Sequence, residues 1–175
     1  MDDLITGVLP QVLSFDSSSV FFTGVSGGSL LLSGFYLPAH GATVAGNGVL
    51  LNCGALAPQV AVADAQAAGQ TRVHFQSTLR ELESLQGAIP EAVLAYEDLA
   101  AAAGLSNAQI NRLLTVDNSP DGGHCEFDGQ DFVDGVQLMA DNFANVIAGD
   151  GEVQGIGNVL NGVVGNEALQ FEPGA

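Results

Sequence analysis

The sequence predicts an α+β fold, with a β-rich N-terminal segment of short antiparallel strands packed against a C-terminal helical half. Three observations predict it. Residues 17–63 contain no Asp, Glu, Lys or Arg and are cut into short apolar runs by Gly, Ser and Pro. From about residue 72, apolar residues recur every three or four positions instead. Apolar residues make up 47% of the 175 positions, enough for one domain with its own core. The expected organisation is a single domain over 1–175. It divides into a neutral β-rich segment (1–70), a helical segment (71–148) and a Gly/Asn-rich tail (149–175) packed on the same domain.

The elements follow in order. Asp2 and Asp3 suit the positive end of a short N-terminal helix, which Pro10 limits. Val20-Phe21-Phe22-Thr23 reads as a strand of β-branched and aromatic residues ending at Gly24. Leu30 to Leu37 reads as a second strand, stopped by Pro38. Thr43 to Leu51 reads as a third, with Gly46-Asn47-Gly48 as a hairpin signal. Residues 58–69 fit both strand (PQVAVA) and helix (DAQAA). Phe75, Leu79, Leu82 and Leu85 mark an amphipathic helix that Gly87 stops. Pro90 opens the next, which ends at Gly104. Ser106 and Gln109 form a capping box for a third helix, to about Val116. A fourth is expected from about Gln130 to Ala148.

The formal charge of -17 arises less from the 20 acids than from the scarcity of bases, three Arg and no Lys. Such a chain repels phosphate backbones and anionic lipid heads, so nucleic acid is not an expected partner. Only 13% of residues are charged, against about 25% in an ordinary domain. A neutral Gly/Ser/Val surface loses little on desolvation and suits burial against other subunits. Val20 to Leu37 is uncharged, but its glycines, serines and threonine make a poor membrane span, with no flanking Lys or Arg. The N-terminus opens with two acids rather than the bases of a secretory signal. Cys53 and Cys125 fit two buried thiols, or one long-range disulfide if the protein works outside a cell.

Three stretches carry motifs. YEDLAAAAGLSNAQINRLL (96–114) resembles the helix-turn-helix of DNA-binding repressors, with Ala100 at the helix contact, Gly104 at the turn, and Ile110 and Leu113 on the buried face. Its second helix offers one base, Arg112, so a plain αα-hairpin is expected. DNSPDGGHCEFD (117–128) resembles a calcium loop of the EF-hand or dockerin type. That resemblance implies Asp117, Ser119, Asp121 and Asp128 as metal ligands, with Gly122 at the sharp turn. His124 stands where the loop has an aliphatic residue. Gly24-Val25-Ser26-Gly27-Gly28 matches the Gly-x-Ser-x-Gly nucleophile elbow, which requires a strand before it and a helix after it. The following SLLLSGFYLP reads as strand, so the match is taken as a glycine-rich turn. His40, His74 and His124 show no metal-ligand spacing, and no catalytic set is assembled. No enzyme is expected.

The expected function is therefore structural: a self-assembling subunit of a virus or phage particle (capsid, decoration or tail), located in the virion. Its partners would be copies of itself and other structural subunits. The alternative is a calcium-binding interaction module using the 117–128 loop.

Overall fold

The computed structural model describes residues 2–15, 20–127 and 161–173. Its elements alternate. A π-helical turn (Leu4–Val8) leads into α1 (Leu9–Val12). β1 (Phe21–Val25) is followed by α2 (Gly27–Leu31), a π-helical turn (Leu32–Tyr36) and α3 (Leu37–Val44). β2 (Gly48–Asn52), α4 (Ala65–Ala68), β3 (Arg72–Gln76), α5 (Glu83–Ala102), α6 (Asn107–Leu113), β4 (Leu114–Asp117) and β5 (Asn161–Gly162) complete the described chain. The five strands form one mixed sheet in the order β1-β2-β3-β4-β5. The first four are parallel, and β5 runs antiparallel to β4.

Helices and a sheet are both present, but they are interspersed along the chain rather than divided between its halves. The neutral segment does not build antiparallel hairpins. Leu30 to Leu37, expected as strand, lies inside a helical run over residues 27–44, which also takes in Thr43 and Val44 from the start of the third expected strand. The buried positions of that run include 29, 32, 33, 36, 37, 41 and 44, spaced as one face of a helix. Ser29 and Ser33 lie on that face and hide its period from a hydrophobicity count. Both are satisfied locally: Ser29 Oγ donates to the Asn52 carbonyl and Ser33 Oγ to the Ser29 carbonyl, each at 2.8 Å. The Gly46-Asn47-Gly48 signal marks where α3 ends, with Gly46 at φ 79 and the Asn47 N–H on the Val44 carbonyl.

A second correction concerns residues 72–102. Phe75 belongs to β3, not to a helix. The helix starts at Glu83 and runs through Gly87 and Pro90 to Ala102. Residues 58–69 resolve into a single turn of helix, α4, capped by the Asp64 side chain. The αα-hairpin forms, with Gly104 at φ 86, the Ser106/Gln109 capping box, and Ala100 and Ile110 buried, but its second helix ends at Leu113 and residues 114–116, expected as its last turn, belong to β4. The helix expected at 130–148 lies outside the described residues.

One face of the sheet presents Val49, Leu51, Val73, Phe75, Leu114 and Val116 to the core, with Tyr36, Leu37, Ile89, Val93 and Tyr96 from the helices. Phe75 and Tyr96 meet edge-on at 5.9 Å, and Tyr96 Oη donates to the Ser33 carbonyl at 2.6 Å. This ties α5 to the helix that follows β1.

The opposite face is polar yet buried. Register places Leu50, His74 and Thr115 in one row, and Asn52, Gln76 and Asp117 in the next. His74 Nε2–H donates to Gln76 Oε1 at 2.9 Å, and its Nδ1 lies 2.8 Å from Thr115 Oγ1. Burial pushes the His74 pKa below its ordinary 6.5. The unfolded chain therefore binds a proton that the native state resists, and stability rises with pH in that window. The stability tied to neutral His74 is fully present above about pH 6.5 and is lost progressively below it. Urea midpoints at pH 7.5 and 5.5 should fall further for the native sequence than for His74→Gln. Equal slopes for the two proteins would remove this assignment.

Candidate active site at the C-terminal ends of the parallel strands

Ser26 joins β1 to α2 with φ 50 and ψ -119, a conformation that side-chain-bearing residues rarely adopt. Its N–H donates to the Asn52 carbonyl at 2.9 Å, and Asn52 Nδ2 reaches back to the Gly24 carbonyl at 3.3 Å. The tight strand-to-helix turn is thus pinned to the end of β2. A Cβ at Gly24 would sit 2.5 Å from the Ser29 nitrogen, so glycine is required there. Gly27 is the first residue of the helix, where an N–H has no intrahelical acceptor.

Two further loops meet Ser26. The chain after β3 runs beside the chain after β4 and extends their ladder. The N–H groups of Ser77, Leu79 and Arg80 donate to the carbonyls of Asp117, Pro120 and Gly122. Thr78 Oγ1 donates to the Gly123 carbonyl at 2.9 Å. This clamp sets Glu81 against His124. Ser26 Oγ–H donates to His124 Nε2 at 2.8 Å, and His124 Nδ1–H donates to Glu81 Oε1. The tautomer follows from the partners, because a carboxylate only accepts. The Glu81 side chain is fully buried, and that of His124 is 24% exposed. Glu81 Oε1 also accepts the Leu82 N–H at 2.8 Å.

Cys53, directly after β2, is disulfide-bonded to Cys125, directly after His124. The bridge packs with Phe127 and Val25. The two cysteines are therefore not the pair of thiols that was one sequence reading. Among the described residues, the non-glycine residues with positive φ are Ser26, Cys53 and Cys125. All three lie at this junction, where surrounding structure holds conformations that would otherwise relax.

The sequence-derived metal ligands fall as follows. Asp117 ends β4, buried. Its carboxylate accepts from Ser119 N–H and Oγ at 2.8 and 2.7 Å, and from Gln76 Nε2 at 3.4 Å. Asp121 pairs with Arg80 at 2.6 Å. Asp128 lies outside the described residues. The loop's distinctive feature is instead His124, the residue that departs from the calcium pattern. Ser26 was visible in the sequence through its Gly-x-Ser-x-Gly frame, while Glu81 carried no motif and His124 only an anomaly.

Beside the Glu81–His124 pair lies a cleft of about 790 Å³, lined in part by Leu82, Gln86, Glu83 and Glu126. Among its described lining residues the one Arg or Lys is Arg80, which is paired with Asp121 and Glu172. The lining is thus apolar to acidic. No helix among the described residues is long and apolar enough to cross a membrane. No protein-family model matches the chain, and no match is found among curated proteins or solved structures.

Proposed function

We propose that the protein is a serine hydrolase acting on neutral carboxylic esters, with Ser26 as nucleophile, His124 as general base and acid, and Glu81 as the residue that orients His124. The observation that carries this reading is the continuous hydrogen-bond chain Ser26–His124–Glu81, with Ser26 on a strained strand-to-helix turn. The three residues follow β1, β3 and β4, in the chain order Ser…acid…His that accompanies the nucleophile elbow of parallel-sheet hydrolases. A carboxylate buried behind the imidazole stabilises the imidazolium that forms during reaction.

In the acylation step, Ser26 Oγ bonds to the ester carbonyl carbon while its proton passes to His124 Nε2. The negative charge on the carbonyl oxygen meets the Gly27 N–H at the helix start. The tetrahedral adduct expels the alcohol, which takes the proton from His124. Water then attacks the acyl-enzyme, giving its proton to His124, and the acid leaves as Ser26 recovers its hydrogen. The cleft's acidic lining and the chain's charge of -17 repel anionic substrates, which supports neutral esters as the class. A fluorophosphonate probe, which phosphonylates activated serines, is expected to label the native protein once, on the peptide containing Ser26. Absence of labelling, or labelling elsewhere only, would refute the proposal.

A second reading, assembly with further copies or other structural subunits of a virus particle, draws on the apolar side chains left exposed: Leu4, Val8, Val12, Leu13 and Phe15 at the N-terminus, and Leu31 and Phe35 beyond the elbow. Much of the neutral stretch is otherwise consumed by the core, since all five β2 residues are buried. Light scattering with and without calcium tests this reading. A discrete mass well above 17.8 kDa supports it, and a monomer in every buffer removes it.

A further inference from the structure

We propose that the reduced protein has a binding site for a thiophilic divalent cation such as zinc, formed by Cys53, Cys125 and His124, and that this ion competes with the triad for His124. The inference about competition rests on the serine-hydrolase reading; the site itself does not. A ligand nitrogen of His124 and the two sulfurs all lie within 4.8 Å of one another. Thiolates bind zinc at about 2.3 Å and imidazole at about 2.0 Å, so tetrahedral donors sit roughly 3.5 Å apart. In the oxidised protein the two sulfurs are bonded to each other, so reduction must let them part to that spacing, with a ligand nitrogen of His124 already within 4.8 Å of both. The cluster's chemistry is also apt, two soft sulfurs and an imidazole, with a water as the fourth ligand that three protein donors leave open.

Competition follows from the number of nitrogens. His124 has two, and both are engaged, Nε2 with Ser26 and Nδ1 with Glu81. A metal on either one breaks a link of the chain: on Nε2 it removes the base from Ser26, and on Nδ1 it removes the proton that Glu81 accepts.

The disulfide gates the site. A dithiol attacks at Cys125, the more accessible sulfur's residue at 9% exposure against 0% for Cys53. Its thiolate displaces Cys53 to give a mixed disulfide. The dithiol's second thiolate then releases Cys125 and closes a cyclic disulfide. Two electrons and two protons pass to the protein as two thiols. Zinc binding releases both protons to solvent and leaves two thiolates and one imidazole on the ion. A disulfide oxidant reverses the sequence and expels the ion. The oxidised protein is thus the hydrolase, and the reduced, metal-loaded protein is silent.

The test uses the full chain, oxidised and dithiol-reduced, titrated with cobalt(II) as a spectroscopic stand-in for zinc. The reduced protein is expected to give a sulfur-to-cobalt charge-transfer band saturating at one ion per chain. The oxidised protein should give none, and Cys53→Ser and His124→Ala should weaken it. Zinc at about ten times its Kd should lower ester hydrolysis by the reduced protein about tenfold, with recovery on chelation. If reduction loosens the fold, zinc should raise the Tm of the reduced protein and leave that of the oxidised protein unchanged. A reduced protein with neither the cobalt band nor a zinc-dependent Tm shift overturns the site. A cobalt band with no ester hydrolysis in any state would retain the site while refuting the hydrolase reading. A band with hydrolysis indifferent to zinc would overturn the competition.

Discussion

Ser26→Ala is expected to lower kcat for a neutral ester by about 10⁴- to 10⁶-fold, with KM little changed. The substitution removes one oxygen and nothing else that holds the turn. The Ser26 N–H still reaches the Asn52 carbonyl, Ser29 still bonds the same carbonyl, and Gly24 still permits the close approach of strand and helix. The variant should therefore melt close to the native protein, which separates a chemical effect from a folding one. Glu81→Gln is the companion variant. An amide in place of the carboxylate no longer stabilises the imidazolium, and turned the wrong way it offers His124 a donor where an acceptor is needed. A loss of about 10³- to 10⁴-fold in kcat is expected. Initial rates on a chromogenic ester decide both. A Ser26→Ala protein retaining a tenth of native activity would end the case for Ser26 as nucleophile.

The second large effect concerns stability. Cys53→Ala/Cys125→Ala is expected to cost about 4 kcal/mol at 25 °C, measured by urea unfolding. The bridge spans 72 residues, and a loop of that length removes much of the unfolded chain's freedom. It also ties the His124 loop to the end of β2, so activity should fall together with stability. A destabilisation below about 1 kcal/mol would mean that the loop-to-loop ladder between residues 77–80 and 117–122 holds the site without the bridge.

How much of this was legible in the sequence depends on where polar residues sit. The αα-hairpin of 96–114 was, because Ala100, Gly104, Ser106 and Ile110 each obey a local rule. The strand before Gly24 was as well. The helix after Ser26 was not, because Ser29 and Ser33 occupy buried positions that a hydrophobicity count scores as surface. β3 was lost for a different reason: Val73 and Phe75 alternate with His74 and Gln76 as a strand requires, but Phe75 also falls in a helical period with Leu79, Leu82 and Leu85. The parallel arrangement followed from neither, since it depends on which segments are crossovers. Of the candidate site, only Ser26 carried a motif. Glu81 and His124 are joined to it by tertiary packing across intervals that no local pattern spans.

Because Ser26, the proposed nucleophile, precedes Glu81 and His124 in the chain, a ribosome releases the hydroxyl of residue 26 long before the imidazole of residue 124. An incomplete nascent chain can present the turn but has no base to activate it. On the proposed reading, chemical competence arrives only when the fourth parallel strand has joined the third, and the appearance of ester hydrolysis would then time the completion of the sheet.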